Sequence, residues 1–102
     1  MKLILTGRHF EISPHLRKHV EERVTRLEKY NDHILDGEIV LFQEHVDQVA
    51  EGKIHVSHSV LTAKAATTDM YTSVTELVDK LLVQLTRHDG KLKDRKRLSQ
   101  SR

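Results

Sequence analysis

"TDMYTSVTELVDKLLVQLTRHDGKLKDRK", residues 68–96, decides how this chain is read. Met70, Val74, Leu77, Val78, Leu81, Leu82 and Leu85 recur at the spacing that lines one face of an α-helix. Thr68 or Asp69 suits the N-cap of that helix. Gly90 ends or weakens it, because a glycine inside a helix costs about 1 kcal/mol relative to alanine. On a helical wheel Lys80, Gln84, Arg87 and Lys91 cluster on one flank of the apolar stripe, while Glu76, Asp79 and Val83 lie elsewhere. A helix with a single stripe must bury it against another layer, so the rest of the chain has to supply that layer.

Working back toward the N-terminus, "KLILTG" (residues 2–7) is short, apolar and closed by Gly7, which predicts a strand. "SPHLRKHVEERVTRLEKYNDHI" predicts a helix with Ser13 as N-cap and Pro14 at its first position, where the missing donor costs nothing. Its stripe is Leu16, Val20, Val24, Leu27 and Tyr30. "GEIVLFQEH" (residues 37–45) predicts a second strand, well buried along Ile39–Phe42. "GKIHVSHSVLTAKAAT" (residues 52–67) predicts two more, turning at Ser57-His58-Ser59. The order is β-α-β-β-β-α. A strand–helix–strand start favours a parallel crossover, and the later strands an antiparallel meander. The expected fold is therefore α+β: a two-layer sandwich with a four-stranded mixed sheet and two helices on one face. The folded domain is expected over residues 1–93, with a basic, disordered tail at 94–102.

A chain of 102 residues is long enough for one modest core. It has no cysteine, which excludes disulfides, thiolate metal sites and cysteine nucleophiles. The N-terminus carries three consecutive apolar residues, too few for a signal-peptide core or a membrane span, so the cytoplasm is the expected location. The formal net charge is +2, but its distribution is uneven. Residues 87–102 hold seven Lys/Arg against two acids, and residues 1–86 hold ten against thirteen. Between Asn31 and Gly52 there are six acids and neither lysine nor arginine. Segregated charge points to a sided partner such as nucleic acid.

Helix one repeats the pattern of helix two. His15, Lys18, His19, Arg23, Arg26 and Lys29 fall on one flank of its stripe, with Glu22 among them, and Arg17, Glu21 and Glu28 on the other. Exposed lysine and arginine on one helix ordinarily mean only solubility. Two sided helices, an acid-only stretch and a basic end together favour nucleic acid, bound through phosphates and hence strongly salt-dependent. The aromatics are Phe10, Tyr30, Phe42 and Tyr71, and none forms the sheet-face stacking pair of an RRM. A competing reading makes the acidic stretch 31–52 a surface for a basic protein partner.

Catalytic and metal readings have little support. His15 and His19 are spaced as zinc ligands can be, but no third ligand follows. The four glycines are scattered and build no phosphate loop, and there is no GxSxG. No enzyme, cofactor or metal is expected. "DMY" (residues 69–71) is first of all architecture: a cap followed by two inserted side chains.

The segments "TGRHFEISPHLRKHVEERVTRLEKY" and "LTAKAATTDMYTSVTELVDKLLVQLTRH" resemble the ribosome hibernation promoting factor / ribosome-associated inhibitor A family over residues 1–93. The most specific matches are Ala63, Ala65, Asp69-Met70-Tyr71, Asp79-Lys80-Leu81, Gln84-Leu85 and Arg87. The chain departs from the pattern at Thr75, at Ser57-His58-Ser59 and at Gly90. The resemblance implies a translation silencer that lies in the decoding channel of the small ribosomal subunit, against rRNA, where mRNA and tRNAs would sit. It makes Arg23, Arg26, Lys29, Lys80, Arg87, His88 and Lys91 the rRNA-facing residues. Lys18 and Lys93 continue the same basic surface. It further implies a monomeric short form, acting in stationary phase or stress, with ribosome modulation factor as a possible companion on the ribosome. The short basic tail favours the hibernation promoting branch over the inhibitor branch, which silences without dimerisation.

Overall fold

The computed structural model describes residues 1–30 and 34–100, with side chains to His88. The elements are β1 (Lys2–Gly7), α1 (Pro14–Tyr30), β2 (Ile34–Glu44), β3 (Asp47–Val56), β4 (Ser59–Thr67) and α2 (Met70–Gln100). Strands lie in the order β1-β2-β3-β4, with β1 parallel to β2 and the other pairs antiparallel. This is the expected α+β sandwich with a mixed sheet.

α1 begins as its sequence dictates: Ser13 Oγ accepts the Leu16 N–H at 3.1 Å, and Pro14 opens the first turn. Leu16, Val20, Val24 and Leu27 are buried, whereas Tyr30 is exposed, so the stripe is one residue shorter than expected. α2 buries Met70, Val74, Leu77, Val78, Leu81 and Leu85 in the same core. From the sheet, Ile34, Ile39, Leu41, Ala50, Ile54, Val56, Leu61 and Ala65 complete it. Gly52 also faces the helices, and a Cβ there would lie 3.1 Å from methyls of Leu77 and Leu81. Glycine at this strand position lets α2 approach the sheet closely.

Two strand boundaries differ from the expectation. β2 starts at Ile34 rather than Gly37, because an irregularity between Ile34 and Asp36 breaks the alternation there. β3 starts at Asp47 rather than Gly52; its first residues are polar, and the turn before it, His45-Val46, holds neither glycine nor asparagine. His45 instead adopts φ 57°, and His58 in the next hairpin φ 67°, conformations unusual for residues with a Cβ. The backbone of α2 stays helical through Gly90 to Gln100, so the glycine does not end the helix. Between Lys91 and Gln100 the residues are mostly good helix formers and include no proline, which suits that continuation. Residues 101 and 102 and the side chains beyond His88 lie outside the described residues. Among the described residues no helix is long and apolar enough to cross a membrane.

Candidate nucleic-acid interface

The entry to α2 is built by "TTDMYTS", residues 67–73. Asp69 caps the helix by accepting the Thr72 N–H at 3.2 Å and the Thr72 hydroxyl at 2.9 Å. Ser73, fully buried, donates to the Gln48 carbonyl at 2.6 Å and accepts the Thr67 N–H at 3.1 Å. One hydroxyl thus ties the first turn of α2 to β3 and β4. Met70 is buried, and Tyr71 packs between His15 and His19, with ring centroids 5.8 and 5.0 Å away. The architectural reading of this triplet therefore accounts for each of its side chains.

This anchoring fixes where each basic flank points. His19 Nε2 lies 3.2 Å from the Tyr71 carbonyl and 3.3 Å from Thr75 Oγ1. Arg26 Nη1 lies 3.3 Å from Asp79 Oδ1. The basic flank of α1 therefore abuts α2, on the side that carries Tyr71, Thr75 and Asp79. The flank of α2 points the opposite way: Lys80 Nζ donates to the Lys64 carbonyl at 2.8 Å and Gln84 Nε2 to the Thr62 carbonyl at 2.6 Å, both on β4. The two flanks do not face each other. They form two basic bands on the helix layer, one along the α1–α2 seam and one along the β4 side, separated by the body of α2. An α-helix is about 10 Å across with its side chains, so the bands are spaced to meet separate phosphates rather than to grip one.

Of the expected RNA-binding residues, Lys18, Arg26, Lys29, Lys80 and Arg87 are exposed, and Arg23 and His88 are half-buried. Arg26 lies at the seam, and Lys18, Arg23 and Lys29 share its flank of α1. Lys80 and Arg87 belong to the β4 band. The side chains of Lys91 and Lys93 lie outside the described residues. The exposed pair Arg26–Asp79 contributes little to stability and leaves the guanidinium accessible. His15 and His19 are directed at Tyr71, and among the described residues no cluster of three metal-ligating side chains forms.

The opposite face of the sheet differs from its linear sequence. Strand pairing sets Glu38 beside Lys53, Glu51 beside Lys64, and Asp36 between Lys2 and His55. Glu51 lies 3.8 Å from the Lys64 ammonium, and Asp36 contacts the His55 ring. Asp36, Glu38 and Glu51 thus find countercharges from other parts of the chain, whereas Glu44 pairs with Asp47 beside the β2–β3 turn. Phe42 lies on this face too, buried beneath Arg8, whose guanidinium sits 4.4 Å from the ring centre, with Lys64 beside it at 5.9 Å. The ring is not free to stack on a base.

Residues 3–93 match the family model described as sigma 54 modulation protein / S30EA ribosomal protein. The chain belongs to this family. It is 41% identical over 93 residues to a ribosome hibernation promoting factor of Klebsiella oxytoca, covering 91% of this chain and 98% of that one. It is 39% identical to the factor of the same name from Escherichia coli K12, with the same coverage. A ribosomal subunit interface protein from Coxiella burnetii superposes with TM-score 0.84 at 28% identity, covering 88% of this chain and 99% of that one. The N-terminal domain of Thermus thermophilus Protein Y gives 0.80 at 28% identity, covering 86% and 99%. The family resemblance read from the motifs of both helices is thus confirmed. It places the chain among ribosome hibernation factors, which are not enzymes.

Proposed function

We propose that this S30EA-family chain silences idle ribosomes by binding the small subunit in its decoding channel, with the helix layer against rRNA. The observation that carries this reading is the sidedness of the charge: two basic bands on the helix layer and a balanced sheet face behind them. A phosphate surface attracts the first and is indifferent to the second. Lys18, Arg23, Arg26, Lys29, Lys80, Arg87, His88, Lys91 and Lys93 are the proposed contacts. In that position the protein excludes mRNA and tRNAs, in stationary phase or stress, with ribosome modulation factor as a partner on the same ribosome.

The test is small-subunit cosedimentation of Arg23→Glu/Arg26→Glu/Lys80→Glu/Arg87→Glu. Binding is expected to be lost with the circular dichroism unchanged, and a quadruple variant that still cosediments in moderate salt would sink the proposal. The competing reading, a basic protein partner on the acidic stretch, predicts an association that survives nuclease; the interleaved lysines weigh against it. Sucrose gradients of stationary cells with and without the protein separate a factor that aids ribosome pairing from one that only silences.

A further inference from the structure

The sheet has two outer edges, β1 and β4. Edge strands present unpaired N–H and C=O groups that invite another strand, so folded proteins obstruct them. The direction of the groups on β4 follows from the ladder. Arg8 donates its N–H to the Leu41 carbonyl, so odd residues of β2 point to β1 and even ones to β3. Carried through the registers Val40↔Glu51 and Gly52↔Ala63, this makes Leu61, Ala63 and Ala65 bond to β3. Val60, Thr62, Lys64 and Ala66 then turn their backbone groups outward. Two of those outward carbonyls, Thr62 and Lys64, are the ones that accept Gln84 Nε2 and Lys80 Nζ.

We propose that Lys80 and Gln84 are latches that hold the β4 edge shut, and that the unlatched edge pairs antiparallel with β4 of a second copy of this chain. The edge is self-complementary about Ala63. A two-fold there sets Thr62 against Lys64 of the second copy and Val60 against its Ala66, so the one charge on the edge meets a hydroxyl rather than its own like. The side chains of these four residues are exposed, and "SVLTAKAAT" is rich in small and β-branched residues suited to pairing. Lys80 therefore has a structural task besides the phosphate contact proposed above, and the inference rests on α2 and β4 alone.

The test uses the full chain, with Lys80→Met/Gln84→Met keeping side-chain length while removing both donors. In sedimentation velocity the unaltered chain is expected to stay at the monomer mass. The double variant is expected to move toward twice that mass as concentration rises. Adding Thr62→Pro, which blocks an outward N–H without breaking a bond to β3, is expected to restore the monomer. A double variant with native circular dichroism that stays monomeric overturns the proposal. So does an association that persists with Thr62→Pro, since it then runs through some other surface. If the double variant does not fold, Gln84→Met alone decides on the same criteria, and Gln84 is not among the proposed RNA contacts.

Discussion

Replacing Ser73 with alanine removes one oxygen atom and unties three elements. The hydroxyl is fully buried, donates to the Gln48 carbonyl at 2.6 Å and accepts the Thr67 N–H at 3.1 Å. Alanine fills nearly the same volume, so the cavity contribution is small and the loss is almost purely polar. Each lost bond costs about 1 kcal/mol net, and a buried group left unpaired raises that to ~1–3 kcal/mol. For two backbone partners the expected destabilisation is roughly 2–4 kcal/mol, corresponding to a fall in Tm on the order of 10–20 °C for a domain of this size. Urea unfolding followed by circular dichroism, with the slope unchanged, measures it. Thr72→Ala, one residue earlier and exposed, loses only a surface hydroxyl bond to Asp69 and should cost far less. If Ser73→Ala and Thr72→Ala are equally mild, water replaces the hydroxyl freely and Ser73 does not anchor α2.

Three further outcomes are expected. Gly7→Ala places a Cβ onto the Phe10 carbonyl oxygen, so the variant should be strongly destabilised, whereas Gly37→Ala meets Met1 Sδ at an ordinary 3.5 Å. Gly37→Ala should gain about 0.4–1 kcal/mol by thermal unfolding, from the reduced freedom of the unfolded chain. Asp69→Ala removes the cap of α2 and should cost about 0.5–2 kcal/mol in the same assay. Single removal of Arg87 or Lys29, measured by small-subunit binding across a salt series, should flatten the log–log salt slope by about 0.7–0.9 per lost phosphate contact.

The local chemistry of the fold was legible in the sequence. Ser13-Pro14 announced α1, Asp69 announced α2, and the apolar spacing of Val74, Leu77, Leu81 and Leu85 announced the face α2 buries. What stayed hidden was set by tertiary neighbours. A helical wheel places Lys80 and Arg26 correctly on their own helices but does not say that Lys80 meets β4 while Arg26 meets Asp79. The six acids of 31–52 stand alone along the chain, yet Lys2, Lys53 and Lys64 join three of them, Asp36, Glu38 and Glu51, through strand pairing. The start of β3 was missed because a His-Val turn gives no glycine signal, the backbone taking up the bend at His45 instead.

If the helix layer lies against rRNA as proposed, the pairing of lysine and glutamate across the sheet has a consequence for the other face. A small protein with cations on every side can cross-link nucleic-acid helices, drawing two strands together as a polyamine does. Here Glu38 and Lys53, and Glu51 and Lys64, cancel on the face away from the basic bands. The molecule has one adhesive side and one inert side. On the proposed function, it would line a wall of RNA as a single layer and leave the opposite wall free to move.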